Sequence, residues 1–174
     1  FQPTGMNNSG FDFTHLKGAD KAIGYIAYSG KTSPVAPIVD STASYSAGAI
    51  YSTTLDLYKW TQAVMAQKII SAASWKSSFT SKLNNYAYGW GVDSLEGQPA
   101  MQHGGGIHGF NSNLVILPEK KIAIILLSNV NTPLLGEITN QIAKVVLGKA
   151  YKLPSDRTVI DVPEKTLSEY IGAY

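Results

Sequence analysis

The four residues Pro118-Glu119-Lys120-Lys121 join two strand-like runs, 113–117 and 121–128, and constrain the fold more than any other feature of the chain. A proline followed by charged residues between two strand-like runs reads as a tight turn, so the spacing predicts an antiparallel hairpin. The second run is apolar at every position from Ile122 to Leu127. Such a run predicts a central strand covered on both faces. Further strands are expected at 86–92 and 100–103, and near-alternation at 21–28 predicts another.

Helical spacing frames these strands. Leu57, Trp60, Ala63, Val64 and Gln67 recur on one face, with Ser52 or Thr53 as cap and Asp56 in the first turn, predicting a helix over 54–67. A shorter helix is expected at 72–79. Another runs from Pro133 or Leu134 to Leu147, with Gly148 as its stop. Helices, then a strand run, then one helix packing back form an α+β pattern: an antiparallel sheet flanked by helices. Residues 1–151 read as one domain portion. Residues 152–174 read as a linker and the start of a further domain.

Composition excludes several function classes. A net charge of +2 with scattered lysines gives no basic stripe for nucleic acid. The chain has no cysteine, which removes disulfides, thiolate metal sites and cysteine nucleophiles. The longest apolar run is far shorter than a membrane span requires. A start at Phe1 without methionine or leader pattern leads to the expectation that the sequence begins within a longer protein.

The segment Gln102-His103-Gly104-Gly105-Gly106-Ile107-His108-Gly109-Phe110 holds the most chemically suggestive residues. A dinucleotide loop needs a helix opening inside the glycines, but a strand-like run follows. An esterase HGGG loop needs a later G-x-S-x-G elbow, and none occurs. His103 and His108 are five apart with no carboxylate between them, which does not make a metal site. A glycine turn with His108 facing solvent would account for the spelling without any chemistry.

With its flanks, the segment resembles the C-terminal catalytic strands of the serine β-lactamase-like and penicillin-binding-protein-like family, which includes class C β-lactamases, D-Ala-D-Ala carboxypeptidases and related esterases. The matching residues are His103-Gly104-Gly105 in place of a Lys-Thr-Gly or His-x-Gly triplet, then Gly106, Gly109-Phe110, Pro118, Asn129 and Asn131. Ser46 to Leu57, Tyr88-Gly89-Trp90-Gly91-Val92, Gln2 to Met6 and Tyr170 to Tyr174 are similar to other family segments in the same order.

The resemblance implies a partial β-lactamase/transpeptidase-like fold. It assigns His103, Gly105 and Gly106 to catalysis and Gly104 and Asn131 to substrate binding, and it implies no cofactor and no metal. The N–H of Gly106 would be one of two oxyanion donors, and a strand-end turn cap explains Asn131 equally well. A neutral imidazole at His103 in place of lysine implies weaker attraction for a substrate carboxylate, favouring an esterase or peptidase.

The family's Ser-x-x-Lys and Tyr-x-Asn or Ser-x-Asn motifs do not occur in these residues. Thr14-His15-Leu16-Lys17 has only a similar spelling and lies out of order. The expectation is therefore the C-terminal portion of an exported bacterial hydrolase, periplasmic or extracellular. Its partners would be the missing N-terminal half of the domain and a small-molecule or peptidoglycan-peptide substrate. The alternative is a non-catalytic peptide- or peptidoglycan-binding module of the same fold.

Overall fold

The computed structural model describes residues 1–16, 21–26, 33–80, 82–153 and 161–172. A short pair opens it: β1 (Gly10–Phe11) lies antiparallel to β2 (Ile50–Tyr51). Between them runs α1 (Ser41–Gly48), whose Asp40 side chain accepts from the N–H of Thr42, and which kinks where Tyr45 takes φ 37°. Helix α2 (Thr54–Met65) begins where the Thr53 hydroxyl accepts from the N–H of Asp56 at 3.2 Å, as its sequence predicts. It ends before Gln67, which takes φ 51°. Helix α3 (Ala72–Ser78) is capped by Ser71.

Four consecutive antiparallel strands follow, in the order β3 (Gly91–Leu95), β4 (Gln98–Ile107), β5 (Phe110–Leu117) and β6 (Ile122–Ser128). Each connection is a tight turn. Glu96 and Gly97 both have positive φ, the geometry that a two-residue hairpin requires of a type I′ turn. His108-Gly109 joins β4 to β5, and the expected turn at Pro118–Lys120 closes with Lys121 at φ 55°. Helix α4 (Leu135–Val146) packs back on the sheet, and Gly148, at φ 69°, stops it. Helix α5 (Glu164–Ser168) is exposed.

Alternation along the strands splits the core in two. On one face Met101 and Ile116 pack with Val64 of α2, Trp75 of α3 and Trp90. On the other, Ala100, Val115, Leu117 and Ile124 pack with Ala143 of α4. Helices therefore cover both sides of an antiparallel sheet, the α+β arrangement expected.

Three expectations change. The strand expected at 86–92 begins only at Gly91. Residues 86–90 turn instead, because Gly89 takes φ 78°, the N–H of Ala87 donates to the carbonyl of Trp90 at 2.8 Å and the N–H of Gly89 donates to the carbonyl of Ala87 at 3.0 Å, so that Tyr86 bridges back to Gly91. The apolar run of β6 is not central among the described residues: it pairs only with β5, and Leu127 is 44% exposed. Of the strand expected at 21–28, the described part makes isolated bridges from Tyr25 to Val35 and Val130, while residues 27 and 28 lie outside the described residues. Lys17, in the Thr-x-x-Lys spelling, is also outside them.

Candidate active site

Register determines what the glycine strand presents. Ile107 and Phe110 flank a two-residue turn, so they form a hydrogen-bonded pair, and every second pair back along β4 does the same. Met101, His103 and Gly105 therefore spend their backbone groups on β5. Gly104 and Gly106 point theirs the other way, toward β3. That strand pairs with β4 only as far as Gln102. Among the described residues no strand pairs with the outer edge of β4 from His103 onward, and the N–H of Gly106 faces that open edge.

The side chain of His103 lies at the start of that open edge and both of its ring nitrogens are engaged. Nδ1 is 2.6 Å from the carbonyl oxygen of Gly104, and Nε2 is 2.8 Å from the hydroxyl of Tyr86. A carbonyl only accepts, so the proton belongs on Nδ1. In the neutral ring Nε2 is then the acceptor and Tyr86 donates to it. The two rings meet edge to face, 6.0 Å between centroids. Tyr86 was not visible as a site residue because it is 17 positions from His103, in a segment that reads as strand.

The far end of the open edge is fixed by Asn131. Its Oδ1 accepts from the N–H of Gly109 at 2.7 Å and its Nδ2 donates to the carbonyl of Ile107 at 3.3 Å. The side chain thus clips the turn that ends β4. Gly109 has φ 79°, and a Cβ there would come within 2.5 Å of the Ala36 Cβ, so glycine is required both by conformation and by close packing. At Gly105 a Cβ would lie 2.8 Å from the Ser112 hydroxyl, on the cross-strand neighbour. His103, Gly104, Gly105, Gly106 and His108 are all exposed.

An open strand edge after a histidine–glycine triplet, closed by an asparagine-clipped turn, is set in a sheet with helices on both faces. The family model described as Beta-lactamase matches residues 1–147 of this sequence. The chain belongs to the Beta-lactamase family.

Among its relatives in that family, PbpX of Bacillus subtilis, assigned by name to the penicillin-binding proteins, is 32% identical over 148 residues, covering 84% of this chain and 37% of PbpX. The octameric penicillin-binding protein homologue from Pyrococcus abyssi superposes with a TM-score of 0.70 at 26% identity, over 85% of this chain and 36% of that one. D-amino acid amidase from Ochrobactrum anthropi has the same fold, with a TM-score of 0.67 at 20% identity over 85% of this chain and 50% of the amidase. The chain spans little more than a third of the length of the first two.

A second polar centre supports the Beta-lactamase-family core without lying at the open edge. Asp56, fully buried, accepts from the N–H of Asn8 at 2.7 Å, the Ser9 hydroxyl at 2.9 Å and the Lys59 ammonium at 2.8 Å. The Lys59 bond holds its carboxyl below the ordinary carboxylate range against the opposing effect of burial, and the Asn8 and Ser9 bonds add to the lowering. Lys59 also donates to the Gly5 carbonyl at 2.7 Å. The sequence places Asp56 at a helix start, where its charge suits the dipole. Its second role, fastening residues 5–9 to α2, depends on partners 47 and 48 positions away. Among the described residues no group of three or more His, Cys, Asp or Glu side chains is placed to hold a metal ion.

Proposed function

We propose that this chain is the oxyanion-side portion of a serine hydrolase that works through an acyl-enzyme on a β-lactam, a D-Ala peptide or an ester. The observation that carries the proposal is the outward N–H of Gly106 on the open edge of β4, next to the engaged His103. Attack of a serine on a substrate carbonyl breaks the C=O π bond and places negative charge on oxygen. A fixed N–H aimed at that oxygen lowers the barrier by about 3 kcal/mol. Collapse of the tetrahedral intermediate breaks the C–N or C–O bond, the proton lost by the serine hydroxyl passing to that nitrogen or oxygen. A peptide amine or an alcohol departs, or a β-lactam ring opens, and water then hydrolyses the acyl-serine ester to a carboxylic acid and free serine.

The roles divide along the strand. Gly106 donates to the oxyanion. Gly104 and Gly105 keep the edge free of side chains so that an extended substrate can lie beside it, as strands do when they add to a sheet edge. His103 orders the start of the edge, and Asn131 acts on substrate through the turn whose position it fixes. No serine in the 174 residues is followed three positions later by lysine, so the nucleophile belongs to residues outside this sequence. By the same reading the protein works outside the cytoplasmic membrane, and residues 152–174 are a linker and the start of another unit.

The missing nucleophile also favours a second reading, in which the same edge is a non-catalytic groove for extended peptides. Fluorescent penicillin and p-nitrophenyl ester labelling of the native polypeptide that carries this sequence separates the two. A covalent adduct on a serine, located by intact-mass and peptide mass spectrometry, is the expected result. Peptide binding by calorimetry with no adduct from any acyl donor overturns the hydrolase reading in favour of the groove.

A further inference from the structure

We infer that Tyr86 is a positioning residue for His103, and through it for the open edge of β4. Its placement is built in. Asn84 and Asn85 take φ 49° and 57°, making a two-residue turn of the type I′ kind from Leu83 to Tyr86. Asparagine tolerates that left-handed backbone better than other residues with a Cβ. The turn is locked from both sides: the N–H of Tyr86 donates to Leu83, the N–H of Lys82 donates to the Tyr86 carbonyl at 2.8 Å, and Val92 of β3 donates to Asn85 at 2.7 Å. A rigid turn anchored on β3 thus carries the phenol to the imidazole.

What the phenol does there follows from hydrogen-bond chemistry. Gly104 points its carbonyl toward the open edge, where the alternation leaves it without a β3 partner. The Nδ1–H of His103 fills that carbonyl. Tyr86 fills the remaining ring nitrogen and stops the imidazole from turning over. With the Gly104 carbonyl already filled, an added strand or substrate finds its first free carbonyl at Gly106, while the N–H of Gly104 also points outward and can still donate. Tyr86 and His103 together therefore set which carbonyl a ligand can use first, and Tyr86 holds His103 in one tautomer. A hydroxyl that touched only solvent would do neither.

The spectroscopic test stands apart from the hydrolase reading. In chain labelled with nitrogen-15 at histidine, the His103 ring, identified through the His103→Ala variant, is expected to show a single Nδ1–H tautomer with an unprotonated Nε2. Tyr86→Phe is expected to leave the thermal melt in place and give an averaged, mobile ring. Rapid tautomer averaging in the unmodified chain, or a ring unchanged by Tyr86→Phe, overturns the inference.

The kinetic test rests on the hydrolase reading. In the native polypeptide that carries this sequence, Tyr86→Phe is expected to lower kcat/KM by about 2- to 10-fold, the effect of one hydrogen bond. The drop should vanish when His103 is already alanine. Additive losses would mean that Tyr86 acts independently of His103 and would also overturn the inference. Absence of any turnover in the unmodified polypeptide, with the tautomer found as expected, would count against the hydrolase reading and leave the clamp intact.

Discussion

The hairpin of β4 and β5 is two different materials along its length. At one end Met101 faces Ile116, and Ala100, Met101, Val115, Ile116 and Leu117 are all buried and apolar. At the other, His103 faces Leu114 and the three glycines face Asn113, Ser112 and Asn111, and the glycine strand is exposed. The buried end is held by apolar area removed from water, which is non-directional. The exposed end is held by named hydrogen bonds: His103 to Gly104 and Tyr86, Asn131 to Gly109 and Ile107, and Asn113, whose Nδ2 donates to the buried Thr139 hydroxyl at 2.8 Å. An open edge cannot be covered by apolar packing and remain open. It has to be ordered by directed polar contacts from beside and behind.

The sharpest way to break this division is to damage each end separately. Ile116→Ala leaves a cavity at a fully buried position and is expected to cost about 2–5 kcal/mol, read by denaturant unfolding. Gly106→Pro removes the outward N–H but no ladder bond, since that N–H has no β5 partner. In the native polypeptide carrying this sequence it is expected to lower the acylation rate by about 10²- to 10³-fold while the circular dichroism spectrum is retained. Equal loss of fold in both variants would show that the two ends are not separable.

Smaller changes sharpen the same contrast. Asn131→Ala unclips the β4–β5 turn and is expected to cost about 1–3 kcal/mol, with faster amide exchange confined to 107–111. Asp56 tests whether the fastening of residues 5–9 is independent of the edge. Its folded carboxyl lies below the ordinary value, so its contribution is fully present above the unfolded pKa near ~3.9 and is lost as pH falls through the folded value. Thermal melts from neutral to acid pH should therefore fall less steeply in Asp56→Asn, whose melt starts lower. Last, Leu127→Lys on β6, the end strand of the sheet among the described residues, should reduce self-association in sedimentation without altering the fold.

Much of the scaffold was legible in the chain because its signals are local. The Thr53 cap, the turn at Pro118–Lys121, the Gly148 stop and the apolar run of β5 each act within a few residues. Residue patterning carried the strand only to His103, and it was the resemblance of His103-Gly104-Gly105 to a family strand motif that extended it into the glycines, where β4 runs on to Ile107. The segment at 86–92 was not legible, because Tyr86, Tyr88 and Trp90 alternate like strand residues while Gly89 between them turns the backbone left-handed and closes Ala87 on Trp90. Alternation reports which side chains share a face, and it carries no information about a turn that keeps the same spacing.

By itself, the sequence determined the α+β class, the hairpin around Pro118–Lys121 and the glycine-only surface from Gly104 to Gly106, because composition and short-range periodicity are sufficient for each. Only the tertiary structure decided which backbone groups that surface presents, since this depends on β3 ending its pairing at Gln102 while β4 continues to Ile107. It also decided that His103 is held by Tyr86 and that Asp56 is the fastening of the first residues rather than a helix-end charge alone. These are contacts between positions far apart in the chain. Their energies depend on distance and angle in space, which no one-dimensional pattern contains.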